Sequence, residues 1–466
     1  MIAVPVIAIF DIGKTNKKFF LIDELYRIVL ERSVPFDEIT DEDGDACDDV
    51  HLLTAWVIKT LKEILQIKKF DVKAVNFSAY GASLVYVDGY GKVIAPLYSY
   101  LKTYPEKLKN ELYEKYGGAI QLSCETASPV LGSLNSGMQL YRMMVEKPQL
   151  YDKIKYALHL PQYISYLITQ EPFSEITSIG CHTQLWNYRE NNYHRWVTTE
   201  GIDKKLAPLL PSYKTNTIIF YGKTMEAGPG LHDSSAALIP YLTVFREPFV
   251  LISTGTWCIS LNPFNNSPLT DTELKKDCLC YMEYHGLPVK ASRLFAGHEH
   301  EQEIKRLATH FNKPVDFYKK IKYNGAIVIA LKKLYRFEEG YEKKDDQLFR
   351  SCFHARDVAA FNNYEEAYHC LLLDIMQQQF ASTQLVIAGS TVNRIFVDGG
   401  FSNNSIYMHL LALSFPDLEV YAASVAQATA MGAALAIHKE WNTLPVPADM
   451  VKLKYYKVTD IINLVN

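Results

Sequence analysis

A single carboxylate, Asp233, stands in the small-residue stretch GPGLHDSSAALIPYL, residues 228–242, directly after His232 and before an apolar segment typical of a helix. Two interpretations fit this stretch taken alone. Asp is a favoured helix N-cap, because its side chain accepts backbone N–H bonds and complements the helix dipole. A carboxylate with small neighbours can also act as a general base toward a bound hydroxyl. The rest of the chain has to decide between them.

A second candidate group is the turn DIGKTNKK, residues 11–18, between two apolar runs. A tight turn of this type directs consecutive backbone N–H groups at one point and can bind an anion such as a phosphate. The residues that would take part are Gly13, Lys14, Thr15, Asn16 and Lys18. Asp11 could hold Mg²⁺ through water. The alternative is an ordinary polar hairpin turn.

Two further glycine-bearing turns lie in the second half of the chain. The stretch STGTW, residues 253–257, offers Thr254, Gly255 and Thr256 as a second phosphate turn. The stretch VDGGFSNN, residues 397–404, presents Gly399 and Gly400 as a flat surface for an adenine, followed by Asn404. Each can also be a plain turn. Neither half contains the GxxxxGK[ST] or GxGxxG nucleotide motif.

The elements that must position these turns follow from the hydrophobic pattern. VPVIAIF (4–10) and KKFFLID (17–23) are predicted as strands around the first turn, and a similar unit returns at 249–261. Two such units, one opening each half, predict paired α/β domains. We place the boundary near 242–248, which gives domains 1–244 and 245–466.

Other elements are predicted between and after these units. Residues 74–92 are predicted as strand, bend, strand and a DGYGK hairpin turn, and residues 132–148 and 151–169 as helices. A strand leading into Gly399, a helix near 403–414, a strand at 418–423 and a helix at 424–441 complete the second half. Residues 341–352 are predicted as an exposed connection.

Composition excludes several classes of partner. The chain of 466 residues has a formal net charge of −4, which gives no reason to expect nucleic acid or an anionic membrane. Its 8 Cys are scattered without a CxxC pair and are expected to be reduced thiols. The first apolar run has no basic segment or cleavage site, and no 18-residue apolar stretch occurs, so we expect a cytoplasmic protein without a membrane span.

Taken in order, the two phosphate turns, the acid between them and the strand–GG–helix unit resemble the FGGY family of carbohydrate kinases, from Ile7 to about His438. The middle of the chain is most similar to the rhamnulokinase branch. The stretches that carry this likeness are LPQYISYLIT with SEITSIGCHTQLWN, then HDSSAA and STGTW. The resemblance implies the fold of the actin/hexokinase/Hsp70 superfamily: two α/β, actin-like ATPase (ribonuclease H-like) domains with a ligand cleft between them, which would close to exclude water.

The resemblance also implies roles for individual residues. Asp233 matches the general base that takes a proton from a sugar hydroxyl as it attacks the γ-phosphate of ATP, and Asp11 matches the acid that positions Mg²⁺, with Asp233 as a second metal residue. The ATP and phosphate residues would be Asp11, Gly13, Lys14, Thr15, Asn16, Lys18, Thr254, Gly255, Thr256, Gly399, Gly400 and Asn404. ATP, Mg²⁺ and a sugar are therefore the expected ligands, and a homodimer is compatible with the resemblance.

Departures from the family pattern concern the sugar. The usual sugar segment is YSYLKT here, residues 98–103, and leaves Lys102 as its charged residue. A pocket with fewer carboxylates forms fewer charge-assisted bonds to hydroxyls, which leaves open a deoxy sugar, a differently configured ketose or another acceptor. The predicted pocket residues are Tyr80, Ser83, Glu175 and His232, with packing as the alternative for Tyr80 and a structural hydrogen bond as the alternative for Glu175 and His232.

Two other motifs have simpler interpretations. GHEHEQE, residues 297–303, lacks the spacing of an HExxH zinc motif and favours the polar start of a helix or a loop. DEDGDACDD, residues 41–49, has no Gly at the sixth position and no Glu at the twelfth position of a calcium loop, and it is interpreted as an acidic solvated loop. The competing hypothesis for the whole chain is an actin-fold ATP-binding regulatory or assembly protein without sugar transfer, which would not need Asp233 as a base.

Overall fold

The computed structural model describes residues 3–335 and 351–457, so most of the predicted connection at 341–352 lies outside the described residues. The chain forms two compact units. Unit 1 comprises residues 1–244, 280–288 and 426–450, and unit 2 comprises residues 245–279, 289–425 and 451–466.

The secondary structure up to residue 244 alternates strands and helices. The strands are β1 (Val4–Ile12), β2 (Asn16–Asp23), β3 (Ile28–Pro35), β4 (Ile39–Thr40), β5 (Ala46–Cys47), β6 (Phe70–Ala79), β7 (Leu84–Val87), β8 (Tyr156–His159), β9 (Trp186–Asn187), β10 (Asn192–Tyr193), β11 (Asn216–Phe220), β12 (Lys223–Ala227) and β13 (Leu231–His232). The helices are α1 (Val50–Leu65), α2 (Glu106–Lys115), α3 (Ala119–Glu125), α4 (Ser136–Glu146), α5 (Pro148–Lys153), α6 (Leu160–Thr169), α7 (Ile176–Ile179), α8 (Arg195–Thr199) and α9 (Asp233–Val244).

The remaining elements follow the same alternation. The strands are β14 (Phe249–Thr254), β15 (Cys258–Asn262), β16 (Cys278–Met282), β17 (Pro288–Leu294), β18 (Arg394–Gly399), β19 (Glu419–Ser424) and β20 (Lys452–Tyr456). The helices are α10 (Asp271–Lys275), α11 (Ala296–His310), α12 (Gly325–Leu334), α13 (Tyr364–Ile387), α14 (Ser405–Ser414), α15 (Ala428–Ala436) and α16 (His438–Trp441).

The sheet of unit 1 is mixed, with the strand order β11–β12–β6–β1–β2–β3 and β13 alongside β6. β1, β2 and β3 are joined by hairpins and pair antiparallel, whereas β6 pairs parallel with β1, β12 and β13. Residues 6–10 in the middle of β1 are fully buried, since a central strand is covered on both faces. The predicted strands around the DIGKTN turn are confirmed.

The sheet of unit 2 has the order β16–β17–β15–β14–β18–β19–β20. β14 and β15 form an antiparallel hairpin, and β18 adds in parallel to β14, as β6 does to β1 in unit 1. Both units therefore share one pattern: a hairpin whose first strand also takes a later parallel strand. This agrees with the predicted pair of α/β domains.

The hydrophobic core of the described residues includes three clusters. One covers the sheet of unit 1 with α1 and α6, and includes Phe10, Phe19 and Phe77. A second, also in unit 1, gathers aromatic residues between 84 and 206 around Trp196, which is fully buried. The third packs α11, α13 and α14 on the sheet of unit 2.

The predicted helix at 151–169 is wrong in its middle. Residues Tyr156–His159 form β8, which pairs antiparallel with β7, and Pro161 then lies in the first turn of α6, where its missing N–H costs nothing. The DGYGK turn does form, with Asp88 N–H donating to the Lys92 carbonyl at 2.9 Å. A single bridge, Val87 to Val93, follows it rather than a full hairpin strand.

Residues 280–288 and 426–450 lie beyond the predicted boundary at residue 244 but belong to unit 1. In the second of these segments, α15 packs on α9 at very close range. A Cβ added to Gly432 of α15 would lie 1.8 Å from the carbonyl oxygen of Ala236 in α9. Contact between these two helices therefore requires a residue without a side chain.

No helix among the described residues is long and apolar enough to cross a membrane.

The contact between α9 and α15 gives a stability test in which two effects have opposite signs. By helix propensity alone, Gly432→Ala would stabilise α15 by about 1 kcal/mol. Since the added Cβ would overlap the Ala236 carbonyl, we expect instead a loss of about 2 kcal/mol or more in the free energy of unfolding. Chemical denaturation measures the difference.

The matched control is Gly89→Ala, because an added Cβ at Gly89 meets no atom within 4 Å. It should change the unfolding midpoint little. An unchanged or raised midpoint for Gly432→Ala would contradict the close contact.

Candidate functional site

Three parallel strands end at the same edge of the unit 1 sheet and bring two acids to that edge. Asp11 near the end of β1 is paired in register with Ser78 of β6, and His232 of β13 is paired with Ala79. Asp233 follows His232 directly. The carboxyl ends of parallel strands are where open α/β sheets bind ligands. The two carboxylates predicted to act together therefore do lie on one edge.

Asp233 is the first residue of α9. Its Oδ1 accepts hydrogen bonds from the Ser234 N–H at 2.6 Å and the Ser234 hydroxyl at 3.2 Å, and lies 3.3 Å from His232 Nε2. The side chain is 33% exposed, so solvent or a ligand can reach it. Burial of its surroundings raises the pKa of Asp233 to about 6, and the Ser234 hydrogen bonds oppose this rise. At neutral pH the group is ionised and a stronger base than an exposed Asp.

Asp11 is the second acid of this edge. Its burial raises its pKa to about 6, and the charge of Asp233 adds to the rise, while a hydrogen bond from Thr429 and the charge of Lys18 oppose it. The Thr429 hydroxyl lies 2.7 Å from Asp11 Oδ2. The influence of Asp233 on Asp11 indicates that the two carboxylates share one electrostatic environment.

The first phosphate turn closes tightly after Asp11. The Gly13 N–H donates to the Asn16 carbonyl at 3.0 Å, and Thr15 and Asn16 are exposed. Lys18 is paired in register with Asp11 and donates to Gln427 at 3.1 Å. Thr15, Asn16 and Lys18 remain predicted phosphate residues.

Lys14, predicted as a phosphate residue, is held by other carboxylates instead. Its ammonium lies 2.7 Å from Asp48 Oδ2 and 2.7 Å from Glu38 Oε1. Asp48 Oδ1 receives a second ammonium, that of Lys17, at 2.8 Å, and the Lys17 side chain is 1% exposed. The charge of Lys14 is therefore balanced by two carboxylates, and its contact with a phosphate stays a prediction.

Burial alone would raise the pKa of Asp48, but hydrogen bonds from Lys14, Lys17 and Tyr80 outweigh it and hold the pKa below the ordinary value. The DEDGDACDD segment is thus only partly the solvated loop that was predicted. Asp41 and Asp48 are buried, and the carboxylate of Asp49 caps α1 by accepting the His51 and Leu52 N–H groups.

The second phosphate turn lies in unit 2 between β14 and β15. The Gly255 N–H donates to the Trp257 carbonyl at 2.9 Å, and a Cβ added to Gly255 would meet no atom, so its surface is open. The Thr254 hydroxyl donates to the Asp398 carbonyl at 2.6 Å and accepts from the Phe401 N–H at 3.0 Å. Thr254, predicted to contact phosphate, therefore uses its side chain to join this turn to the GG bend, and Thr256 remains a predicted phosphate residue.

The GG bend is built for close approach of backbone segments. Gly399 has φ +89°, and a Cβ there would lie 1.9 Å from the Thr254 carbonyl oxygen. Asn404 caps α14 by accepting the Ile406 and Tyr407 N–H groups, and its amide donates to the Tyr368 hydroxyl at 2.6 Å. Asn404 thus has a structural role in addition to its predicted place at the adenosine site.

These groups border a cavity of about 510 Å³ within unit 2, a volume in the range of small-molecule sites. Its lining combines small residues, aromatic rings and two lysines. The lining includes Gly255, Gly297, His300, Tyr318, Lys319, Lys322, Gly400 and Asn404. The predicted GG surface therefore does border a cavity of suitable size for a nucleotide base and sugar.

Two of the predicted sugar residues, Glu175 and His232, are buried and contact other protein groups. Glu175 is fully buried and caps α7, accepting the Thr177 and Ser178 N–H groups and the Thr177 and Ser212 hydroxyls. Its burial raises its pKa to about 7 against these hydrogen bonds. Glu175 therefore has the hydrogen bonds of the structural alternative, and its contact with a sugar stays a prediction.

His232 is 3% exposed, with its ring stacked on Tyr281 at 5.7 Å and its Nε2 3.4 Å from Cys181 Sγ. It too has a structural environment rather than an open surface. Tyr80 is 7% exposed and donates to Asp48 Oδ2 at 2.7 Å, while Ser83 is 2% exposed. Packing therefore describes Tyr80 better than sugar contact.

Lys102, the charged residue of the predicted sugar segment, is also paired with carboxylates. Its ammonium lies 2.5 Å from Asp41, 2.7 Å from Asp43 and 3.1 Å from Asp45. The GHEHEQE motif begins α11, as the polar-helix interpretation predicted, with His300 Nε2 2.9 Å from the Tyr368 hydroxyl.

Several residues of these sites gave no local signal in the sequence. Thr429 and Gln427 reach Asp11 and Lys18 from more than 400 positions away, and Lys319 and Lys322 lie outside any glycine motif. The acidic segment 41–49 was visible, but its basic partners were not assigned.

The paired α/β units, each with a hairpin turn beside a parallel strand, define a two-domain α/β protein with mixed sheets. Family comparison is specific: residues 6–227 match the N-terminal domain of the FGGY family of carbohydrate kinases, and residues 246–327 match a carbohydrate kinase FGGY C-terminal domain. The chain belongs to the FGGY family of carbohydrate kinases.

Individual relatives are distant. A rhamnulokinase from Halalkalibacterium halodurans is 22% identical over 271 residues, which is 56% of this chain and 55% of that protein, so the match spans about half the length of the curated relative.

Solved structures share the fold over almost the whole chain. A carbohydrate kinase from Novosphingobium aromaticivorans superposes with a TM-score of 0.78 at 22% identity, covering 98% of this chain and 95% of that one. A xylulose kinase from Lactobacillus acidophilus superposes with a TM-score of 0.77 at 13% identity, covering 99% and 96%. At these identities the likeness establishes the fold.

The buried Lys17–Asp48 pair predicts a large effect of a small change. Asp48→Asn keeps the shape of the side chain but leaves the Lys17 ammonium buried without its carboxylate. Removing one partner of a buried ion pair costs about 3 to 5 kcal/mol, so we expect a loss near 3 kcal/mol in the free energy of unfolding at neutral pH.

The pH dependence has a defined sign. Because the folded-state pKa of Asp48 is depressed, its stabilisation is complete above its unfolded pKa of about 4 and is lost as the pH falls through the folded-state value. Unfolding curves of the wild type and the Asn variant should therefore converge in acid. Asp49→Asn is the matched control, since Asn caps a helix as well as Asp. Equal stabilities for both variants would refute the assignment.

Proposed function

We propose that this protein is an ATP-dependent sugar kinase in which Asp233 takes a proton from the sugar hydroxyl that attacks the γ-phosphate of ATP. The observation that carries the proposal is the environment of Asp233. It is a partly exposed carboxylate at the carboxyl end of parallel strands, oriented by Ser234, with a pKa raised to about 6. A base with this pKa is ionised at neutral pH yet accepts a proton more readily than an ordinary Asp.

Unit 2 supplies the features that support nucleotide binding. Its cavity of about 510 Å³ is bordered by Gly255 of the second phosphate turn and Gly400 of the GG bend. Aromatic and small lining residues suit an adenine face, and Lys319 and Lys322 add positive charge suited to phosphates. We propose that the adenosine part of ATP binds in this cavity.

The residues of unit 1 fit Mg²⁺. Asp11 and Asp233 offer hard carboxylate oxygens, and Mg²⁺ is usually held by one or two carboxylates together with waters and substrate phosphates. When bound, the ion would neutralise charge on the transferring phosphoryl group. The Thr429 hydroxyl fixes the orientation of Asp11 for this role.

The protein's own share of the chemistry is positioning and proton transfer. Phosphoryl transfer needs little covalent participation from side chains, so orientation of the two substrates and one base supply most of the catalysis. The Ser234 N–H holds Oδ1 of Asp233, and the small residues after it leave space for a hydroxyl.

We further propose a ketose or deoxy-ketose as the acceptor, of the rhamnulose, fuculose or xylulose type. Charged residues considered for the pocket are engaged elsewhere: Glu175 caps a helix and Lys102 is bound by three aspartates. Few charged groups are thus left for hydroxyl recognition, which suits a sugar with fewer polar contacts. A rhamnulokinase and a xylulose kinase are among the similar proteins.

The first test is ADP release with ATP, Mg²⁺ and a panel of ketoses, deoxy-ketoses and polyols. We expect at least one ketose to raise the rate well above that of ATP alone. ATP binding without stimulation by any sugar would favour an actin-fold regulatory or assembly protein and would overturn the proposal.

The second test is Asp233→Asn. The variant should fold and still bind ATP by calorimetry, but lose at least about 100-fold in turnover, because the amide cannot accept the proton. Asp71→Asn, which removes an exposed carboxylate paired with Lys73, is the control and should retain full turnover. Near-normal turnover of Asp233→Asn would remove this residue from the role of base.

A further inference from the structure

A cluster of soft donor groups lies directly beside Asp233. Cys181, His182 and His232 bring their thiol and imidazole atoms within 4.8 Å of one another. They are buried, at 1%, 8% and 3% exposure. The cluster comes from two separate segments of unit 1, the residues after α7 and the strand β13.

The distances in the cluster match those around a tetrahedral metal ion. His232 Nε2 lies 3.4 Å from Cys181 Sγ and 3.3 Å from Asp233 Oδ1. Ligands bound tetrahedrally to Zn²⁺ at the usual Zn–S, Zn–N and Zn–O lengths are about 3.4 to 3.6 Å apart. His232 Nε2 therefore lies at ligand spacing from both the Cys181 sulfur and the Asp233 carboxylate.

Hydrogen bonds to neighbouring groups fix the positions of His182 and His232. His182 Nδ1 lies 3.2 Å from the Leu134 carbonyl oxygen, and a proton on Nδ1 leaves the lone pair on Nε2. A carbonyl partner of this kind is the usual support for a metal-binding histidine. The His232 backbone N–H donates to the Thr177 hydroxyl at 2.9 Å, which in turn donates to the buried Glu175.

Space around the His232 ring is also restricted. Tyr281 stacks on one face at 5.7 Å, and a Cβ added to Gly81 would lie 2.7 Å from Nε2. Among the described residues no group pairs with His232 Nδ1, whereas Nε2 faces the Cys181 sulfur and the Asp233 carboxylate. The ring is thus fixed in position before any ligand arrives.

We propose that Cys181, His182 and His232, with Asp233 as a fourth donor, form a binding site for a borderline-soft divalent cation of the Zn²⁺ class. One thiolate, two imidazoles and one carboxylate suit Zn²⁺ or Co²⁺, whereas Mg²⁺ and Ca²⁺ prefer oxygen ligands. Binding replaces the S–H bond of Cys181 by an S–metal bond, and the proton is released to solvent. The partly exposed side chain of Asp233 marks the route by which the ion reaches the site.

If the proposed function is correct, a cation bound at this site changes the activity of the kinase. The cation engages the carboxylate that acts as the base, so it inhibits phosphoryl transfer. The site thus makes the kinase sensitive to Zn²⁺ while it still requires Mg²⁺.

The test uses the full chain with Co²⁺ alone, without ATP or sugar. We expect one high-affinity Co²⁺ per chain with a thiolate-to-cobalt charge-transfer band and the visible bands of tetrahedral Co²⁺, and displacement by Zn²⁺ in competition with a chromophoric chelator. Cys181→Ser should lose the charge-transfer band and bind Zn²⁺ at least about 100-fold more weakly, since loss of even an outer-shell partner costs 10- to 100-fold. His182→Gln, which leaves the thiol in place, should weaken Zn²⁺ binding as well.

Controls separate this site from other thiols and imidazoles. Cys352→Ser and His310→Gln change exposed residues of unit 2 and should leave the Co²⁺ spectrum and Zn²⁺ affinity unchanged. Circular dichroism and thermal unfolding check that each variant is folded. If the wild-type chain shows no charge-transfer band, or Cys181→Ser retains it, the site is refuted.

The binding readout is independent of catalysis. A Co²⁺ spectrum that depends on Cys181 in a chain without kinase activity would support the metal site and refute the proposed function. A chain that phosphorylates a sugar but binds no Zn²⁺ at this cluster would support the proposed function and refute the metal site. If the metal site and the kinase function are both present, Zn²⁺ at fixed excess Mg²⁺ should inhibit the wild type, and Cys181→Ser should resist inhibition.

Discussion

Parallel pairing of β6 with both β1 and β13 is the constraint on which the unit 1 site depends. It fixes Asp11 opposite Ser78 and His232 opposite Ala79, so that Asp233 begins α9 at the same sheet edge. In a strand, a slip of one residue turns every side chain to the other face. The register therefore sets which acids meet, and the same edge contains the cysteine–histidine cluster beside Asp233.

The lysines considered for the site near this edge are paired with carboxylates. The ammonium groups of Lys14, Lys17 and Lys102 are all matched to carboxylates within hydrogen-bond distance. Neutralised in this way, they stabilise the loops that flank the first phosphate turn. Asp11 and Asp233, by contrast, retain raised pKa values because burial is not offset by a cation in direct contact. The electrostatic contrast distinguishes the acids suited to chemistry from the charges that hold the fold.

Much of the fold could be predicted from local patterns. Short apolar runs on either side of a glycine-bearing turn predicted β1, β2, β14 and β15, and a strand before a glycine pair predicted β18, because each signal lies within about 20 residues of sequence. Tyr156–His159 could not be distinguished from helix in this way. Its strand conformation depends on pairing with β7, some 70 positions earlier.

For the candidate site too, the sequence revealed the local motifs but not the partners that come from distant segments. The acids and turns were visible as motifs, but the partners of Lys14, Lys102 and Glu175 come from other segments that no local pattern connects. A buried, fully hydrogen-bonded glutamate and a pocket glutamate look alike in sequence. Only the packing around Glu175 distinguishes a helix cap from a ligand for sugar hydroxyls.

The return of residues 280–288 and 426–450 to unit 1 matters for how the chain is made. Domains commonly fold as they emerge during synthesis, starting from the N-terminus. Here the first 244 residues leave the ribosome with one side of α9 uncovered, since α15 is translated almost 200 residues later. Unit 1 is thus completed only near the end of translation, and during that interval the apolar surface awaiting α15 is a natural target for chaperones.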